Sequence, residues 1–353
     1  MKRSPSNLFQ CTYCRTIYIN EEEMFSELED IYHGEGYAKE KKTEHVVFES
    51  KGAASASLRT TYSCLAELIQ KQIDTTKRQA PLKFLDLGCF DGKLLVELKK
   101  EYPDAIVHGF DVSDYIEAIF PKAADFAFYT GSLDTIQGKY DAILVVNVLA
   151  YIDDLPAFAE QIDKLLSPNG FVFFDCADAR KNPFFLTCGD QYTFQTPANL
   201  KNFWAHFGYS VEFIDAGTAF PRSILGIAKR NVSQAGVVYE QDDTLLSSLS
   251  YLTRAATELR QAIESHRTDK PSGRIAVLGC TNNAAWAHNL MGPQISCFAD
   301  ENPNRIGRLF YGKPVIPPAE LTEDDLLLLP YGTTAKALAS KFKTLCKAKL
   351  CVL

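Results

Sequence analysis

Apolar and polar positions along this chain follow two periods, and the places where the period changes mark its elements. Leu58, Tyr62, Leu65, Leu68, Ile69 and Ile73 recur at helical spacing and predict an amphipathic helix. Phe84-Leu85-Asp86-Leu87 then reads as a buried strand that breaks at Gly88-Cys89-Phe90-Asp91-Gly92. A helix begins near Lys93, with Leu94, Leu95, Val96 and Leu98 as its apolar residues. Ala105 to Phe110 predicts a second strand, closed by Asp111, and Tyr140 to Leu149 a third buried strand. A short polar loop leads from there into a helix through Phe158, Ile162, Leu165 and Leu166, which Pro168-Asn169-Gly170 is expected to end. Phe171 to Asp175 predicts a strand, Pro197 to Phe207 a helix, and Val211 to Ile214 and Ile224 to Ala228 two closely spaced strands. Apolar strands alternating with amphipathic helices predict an α/β fold on a parallel sheet.

Beyond residue 230 the pattern changes. Leu245, Leu249, Leu252, Ala256, Leu259 and Ile263 recur at alternating four-three spacing behind an N-cap at Asp242-Asp243-Thr244. The run is under three heptads, so a connector packed on its own chain is favoured over a coiled-coil seam. The alternative joins two copies into a homodimer through the 244–266 helix. After the linker Lys270-Pro271-Ser272-Gly273, residues Arg274 to Ala285 form a second strand–turn–helix unit. Ile295 to Ala299 is a further strand, ending at Asp300. The expected division is an N-terminal segment 1–45, a main domain 46–232, a helical connector 233–270, and a second, smaller Rossmann-like α/β domain 271–353.

The turn after the first strand carries the chemistry. A strand–glycine turn–helix unit aims backbone N–H groups and a helix N-terminus at a ligand. Gly88 and Gly92 let the backbone approach where a side chain would collide. About 20 residues on, Asp111 is placed to accept hydrogen bonds from ribose hydroxyls. NAD and S-adenosylmethionine both fit such a turn. Asp86 at its head favours the second, because an acid there attracts a cationic amino-acid moiety and does nothing for a pyrophosphate.

Asp86-Leu87-Gly88-Cys89-Phe90-Asp91-Gly92, Asp111, Gly131-Ser132-Leu133 and Asn147-Val148-Leu149-Ala150-Tyr151-Ile152-Asp153-Asp154 together resemble class I S-adenosylmethionine-dependent methyltransferases. The likeness covers about residues 80–230, and the helix followed by two terminal strands belongs to it. It implies that Asp86, Gly88, Cys89 and Gly92 hold the methionine moiety and Asp111 the ribose. Ser132 and Leu133 would border the adenine, and Asn147 would face the methionine end. The chain departs from the family where Ser132 replaces a frequent Asp and Tyr151 a frequent His. Cys89 and Phe90 also replace smaller turn residues.

Two outer segments resemble sugar C-methyltransferases. Cys11-Thr12-Tyr13-Cys14 resembles the second knuckle of their zinc ribbon, without the first. Two thiolates are half a tetrahedral set, and only His33, His45 and Cys64 are nearby in sequence, so the segment is expected to hold no metal. Asp300-Glu301-Asn302-Pro303-Asn304, Gly307 and Gly312-Lys313-Pro314-Val315-Ile316 resemble the Rossmann-like module at their C-terminus. Those enzymes carry a His-Glu-His tract that supplies a base. The aligned stretch here, Leu186 to Phe194, has no histidine. His108 falls in a strand and His206 in a helix, both more fitting for structure than for catalysis. Tyr151, Asp190 and Tyr192 are the chosen catalytic candidates, with Asp175 and Asp178 behind them.

Composition narrows the function without choosing it. A net charge of −7 and no long Lys/Arg tract exclude a general nucleic-acid binder. No run approaches the ~20 apolar residues of a membrane helix. Ten scattered cysteines, with no apolar run of signal-peptide length at the start, suggest reduced thiols in the cytoplasm. The leading expectation is an S-adenosylmethionine-dependent methyltransferase acting on a small polar substrate, a sugar or sugar nucleotide. Its rivals are a methyltransferase-like protein that binds the cofactor without turnover, and an oxidoreductase or nucleotide-sugar-modifying enzyme using the C-terminal module.

Overall fold

The computed structural model describes residues 8–19, 46–47, 59–73, 81–113, 116–117, 120–121, 123, 125–217, 219–231 and 239–353. They fall into two compact units. One holds Phe9–Asp178 and Asp190–Gln241; the other takes Ala179–Gly189 together with Asp242–Leu353.

The first unit starts with strands β1 (Leu8–Gln10) and β2 (Ile17–Ile19), then the short pair β3 (Val46–Val47) and β4 (Arg59–Thr60). Helix α1 (Thr61–Gln70) follows, its N-cap Thr60 accepting the N–H of Ser63. Next come β5 (Lys83–Leu87), α2 (Lys93–Glu101), β6 (Ile106–Phe110), β7 (Phe126–Tyr129) and β8 (Tyr140–Val146). The unit is completed by α3 (Leu155–Leu165), β9 (Leu166–Ala177), β10 (Thr193–Phe194), α4 (Pro197–His206), β11 (Tyr209–Ile214) and β12 (Ser223–Arg230).

Seven strands lie in the order β11-β12-β9-β8-β5-β6-β7. The five from β7 to β9 are parallel, while β12 runs antiparallel to both β9 and β11. Strands buried on both faces explain the near-continuous apolar runs. On one face Leu85, Ile143 and Phe174 pack with Phe158, Ile162 and Trp204 of α3 and α4. On the other, Phe84, Leu144 and Phe173 pack with Leu65, Ile69, Leu94 and Leu98 of α1 and α2. Thr196 and Asn199 form a capping box at the start of α4.

One expected boundary moves. Helix α3 stops at Leu165, and Pro168-Asn169-Gly170 lies inside β9 instead of between helix and strand. The cause is tertiary. The ladder between β8 and β9 shifts register between Tyr140 and Ala142, and a Cβ on Gly170 would come within 2.9 Å of the Tyr140 carbonyl oxygen.

The second unit contains α5 (Thr244–Asp269), β13 (Ile275–Leu278), α6 (Asn282–Met291), β14 (Cys297–Ala299), β15 (Leu309–Phe310), β16 (Lys313–Ile316), β17 (Leu326–Leu329), α7 (Ala335–Leu345) and β18 (Lys349–Val352). Its strands are ordered β15-β16-β14-β13-β17-β18, parallel except for β15. In α5, Leu259 and Ile263 are buried against this sheet's core, whereas Leu246 and Leu249 are 71% and 40% exposed. No described helix is long and apolar enough to cross a membrane.

Candidate active site

An open parallel sheet offers a ligand crevice beyond the carboxyl ends of the strands where its order reverses. In the first unit those strands are β5 and β8. The turn leaving β5 is shaped by two glycines in the left-handed region, Gly88 at φ +76° and Gly92 at φ +67°. A Cβ on Gly88 would sit 2.3 Å from Val148 Cγ2, and one on Gly92 2.8 Å from Phe120 Cε2. Neither position takes a larger residue without displacing its neighbour. The N–H groups of Gly88 and Cys89 donate to the carbonyl of Phe110 at 2.7 and 3.0 Å. Asp111 steadies the same turn: its Oδ2 accepts the N–H of Phe90 at 3.1 Å and its Oδ1 that of Ser113 at 3.1 Å. Cys89 is buried beneath the turn, and burial, aided by Asp86, pushes its thiol pKa well up.

Asp86 is the electrostatic anomaly. It is 3% exposed, and its Oδ1 is buried with no hydrogen-bond partner among the described residues. Burial pushes its pKa well above the carboxylate range, and the charges of Asp111 and Asp91 add to the effect. Lys93 pairs with Asp91 at 3.1 Å. An ammonium group bound beside Asp86 would supply both the missing donor and the missing positive charge.

From the end of β8, Asn147 enters the left-handed region at φ +56°. Its N–H donates to the Asp175 carbonyl at 2.7 Å, and its side-chain amide to Asp175 Oδ2 at 3.4 Å. Asp175 is 2% exposed, and burial raises its pKa to about 6 against the opposing hydrogen bonds of Ser223 and Asn147. Sequence reasoning does not find its place behind Asn147. The one signal that could have found it is a carboxylate ending the apolar run Phe171–Phe174.

The catalytic candidates converge on one loop. Tyr151 ends the turn Leu149–Tyr151, and its hydroxyl accepts from Gln191 Nε2 at 3.4 Å. The N–H of Tyr192 donates to the Ala150 carbonyl at 2.8 Å, and Thr193 Oγ1 to the Leu149 carbonyl at 3.1 Å. Asp190 is buried two residues before Tyr192. Tyr192 also lines a cavity of about 750 Å³ with Tyr13, Tyr18, Phe203, Phe207 and Tyr239, and Asp153 and Glu160 supply its carboxylates. Ser132 is exposed and caps a short turn, accepting the Asp134 N–H at 3.3 Å, while Leu133 packs on the core. His108 bonds the Tyr140 hydroxyl at 2.7 Å and His206 that of Tyr239 at 3.2 Å.

Cys11 and Cys14 border the same cavity in a tight turn, with the Cys11 N–H on the Thr16 carbonyl at 2.9 Å. Burial would raise the Cys11 pKa, but backbone hydrogen bonds from Tyr13, Cys14 and Arg15 hold it below its ordinary value. Among the described residues no three His, Cys, Asp or Glu side chains gather to hold a metal. Cys64 is buried in the core under α1, and His33 and His45 lie outside the described residues.

Residues 58–212 match a family described as a methyltransferase domain. Among solved structures, the plantazolicin methyltransferase BpumL is 16% identical, covering 48% of this chain and 85% of that one at a TM-score of 0.42. An S-adenosylmethionine-dependent methyltransferase from Mesorhizobium loti is 16% identical over 46% of this chain and 96% of its own, at 0.39. The glycopeptide N-methyltransferase MtfA is 12% identical over 48% and 93%, at 0.38. No curated protein matches the chain. The family match and the strand order agree on the first unit: residues 58–212 match a methyltransferase domain and lie on a Rossmann-like sheet.

Proposed function

We propose that this enzyme methylates a small polar acceptor, a sugar in the first instance. The observation that carries the cofactor half of this reading is the orphaned, buried Asp86 oxygen beside a turn that has no room for a Cβ. In this reading Asp86 holds the donor's ammonium group. The backbone at Gly88, Cys89 and Gly92 lies along its methionine chain, and Asp111 accepts from its ribose. Ser132 and Leu133 border the adenine. Asn147, fixed by its two bonds to Asp175, faces the methionine end.

When bound, S-adenosylmethionine supplies a sulfonium-borne methyl group open to attack. The protein's share is alignment of the acceptor and removal of its proton. Tyr151, Asp190 and Tyr192 are proposed for that share, with the cavity beside Tyr192 as the acceptor's place. Aromatic faces suit the C–H faces of a sugar, and the Asp153 and Glu160 carboxylates suit its hydroxyls. Among the described residues no Lys or Arg lines that cavity, which favours a sugar over a diphosphate-bearing sugar nucleotide there. Residues 46–232 would perform the transfer, 233–270 connect and 271–353 assist, in the cytoplasm. Exposed Leu246 and Leu249 would be the place for a second copy to pack.

Calorimetric titration with S-adenosylmethionine, S-adenosylhomocysteine and NAD tests the cofactor half. Asp86→Ala should cost at least about tenfold in affinity for the first two, ~1.4 kcal/mol. Binding of NAD alone would overturn the reading. A screen of labelled methyl transfer to sugars, sugar nucleotides and amines tests the acceptor half. Tight cofactor binding with no transfer to any of them would favour the non-catalytic binding protein.

A further inference from the structure

The second unit repeats the device of the first. Gly279 sits in the left-handed region at φ +77° and donates its N–H to the Ala299 carbonyl at 2.6 Å. Asp300 Oδ2 accepts the N–H of Cys280 at 3.0 Å, as Asp111 accepts that of Phe90. The order of the sheet reverses between β13 and β17, so the ligand crevice should open beyond Leu278 and Leu329. Residues 181–188 fill it.

Asn182 and Asn283 face each other as a reciprocal amide pair, Nδ2 to Oδ1 at 3.2 and 3.4 Å. Both are buried, at 1% and 3% exposure. Asn283 Nδ2 also donates to the Pro330 carbonyl at 2.6 Å, tying the pair to the end of β17. Asn282 Nδ2 donates to Cys188 Sγ at 2.9 Å at the start of α6. Across the crevice, Thr333 Oγ1 donates to the Lys181 carbonyl at 2.9 Å. The Phe184 ring is fully buried, edge-on to Trp286 at 4.7 Å. The acid that would meet a ribose is also engaged, since Asp300 Oδ2 accepts from Arg305 Nη1 at 3.1 Å.

We propose that this crevice is a built-in peptide clamp, holding residues 181–188 of the chain where a doubly wound sheet ordinarily takes a nucleotide. The clamped stretch lies in sequence between Asp178 and Asp190, so the segment carrying Asp190 and Tyr192 leaves from an anchored point. With its crevice so filled, the second unit takes no nucleotide at this position.

Hydrogen–deuterium exchange of the full chain, read by peptide, tests this. In the parent, peptides covering 181–188 should exchange as slowly as those of β13 and β17. Asn182→Ala should speed exchange there at least tenfold while β5 and β8 stay unchanged. Thr333→Val loses only an exposed hydroxyl bond, so it leaves folding intact and should give a smaller rise at the same peptides. NAD and UDP-glucose at millimolar concentration should leave the exchange of residues 279–284 unchanged. Rapid exchange of 181–188 in the parent would overturn the clamp. So would either nucleotide slowing 279–284 while freeing 181–188.

Discussion

Replacing Asp175 by Asn should change how stability depends on pH, with a sign and size that follow from burial. The carboxyl group lies at the junction of β8, β9 and β12, opposite Val146 and Leu225, and its folded-state pKa is about 6. In the unfolded chain it returns to about 3.9. Between these values the native state binds more protons than the unfolded one, so this group lowers stability as pH rises. A rise from about 3.9 to about 6 is equivalent to about 3 kcal/mol, absent below pH ~4 and fully present above pH ~6. Asn keeps the shape and can still accept from Asn147, but cannot ionise. Urea unfolding of parent and variant from pH 5 to pH 8 isolates this contribution, because other titrating groups cancel in the difference. The variant should gain on the parent with rising pH, by roughly half of the full amount, since the rest falls below pH 5. A difference that stays flat or runs the other way would refute the assigned burial cost.

Gly88→Ala forces a side chain into a left-handed position and against Val148 Cγ2 at 2.3 Å, so it should destabilise by about 2–5 kcal/mol, measured by thermal unfolding. Asp111→Asn should weaken S-adenosylhomocysteine several-fold by calorimetry and weaken a 2′-deoxyribose analogue less, because an amide is the poorer acceptor. Tyr151→Phe should leave that affinity within about twofold while lowering methyl transfer to the acceptor ~10²-fold, and intact turnover would move attention to Asp190 and Tyr192.

Elements set by their own period were legible in the sequence. Phe84–Leu87, the helix from Lys93 and the hairpin after α4 all follow local patterning, and the structure places them close to their expected bounds. Features set by a distant partner were not. Pro168-Asn169-Gly170 carries every local mark of a stop, yet it extends a strand because the β8 backbone lies against Gly170. Nothing near Asn147 announces its left-handed backbone, which depends on the Asp175 carbonyl 28 residues away. The spacing along α5 gave no hint that Leu249 would be exposed while Leu259 and Ile263 are buried, or that Thr244 and Ser248 would be the buried residues of its first turns. Spacing specifies a face, and only the fold decides what covers it.

The two strand–glycine turns show where local chemistry does decide. Both have a glycine in the left-handed region, both fold its N–H onto the neighbouring strand, and both tie the turn to an acid that follows that strand. They differ two residues before the glycine. The first unit has Asp86 there, buried with an unmet oxygen; the second has Val277, buried and apolar. A buried carboxyl oxygen with no partner costs free energy, and under the proposed reading a bound ammonium group would offset that cost. At Val277 no such demand exists, and Asp300 is already answered by Arg305. That crevice can be closed by apolar and amide contacts from the chain itself, as Phe184 and Asn182 close it. Acid against valine is thus one part of the difference between the two crevices, and Arg305, Asn182 and Phe184 supply the rest in the second.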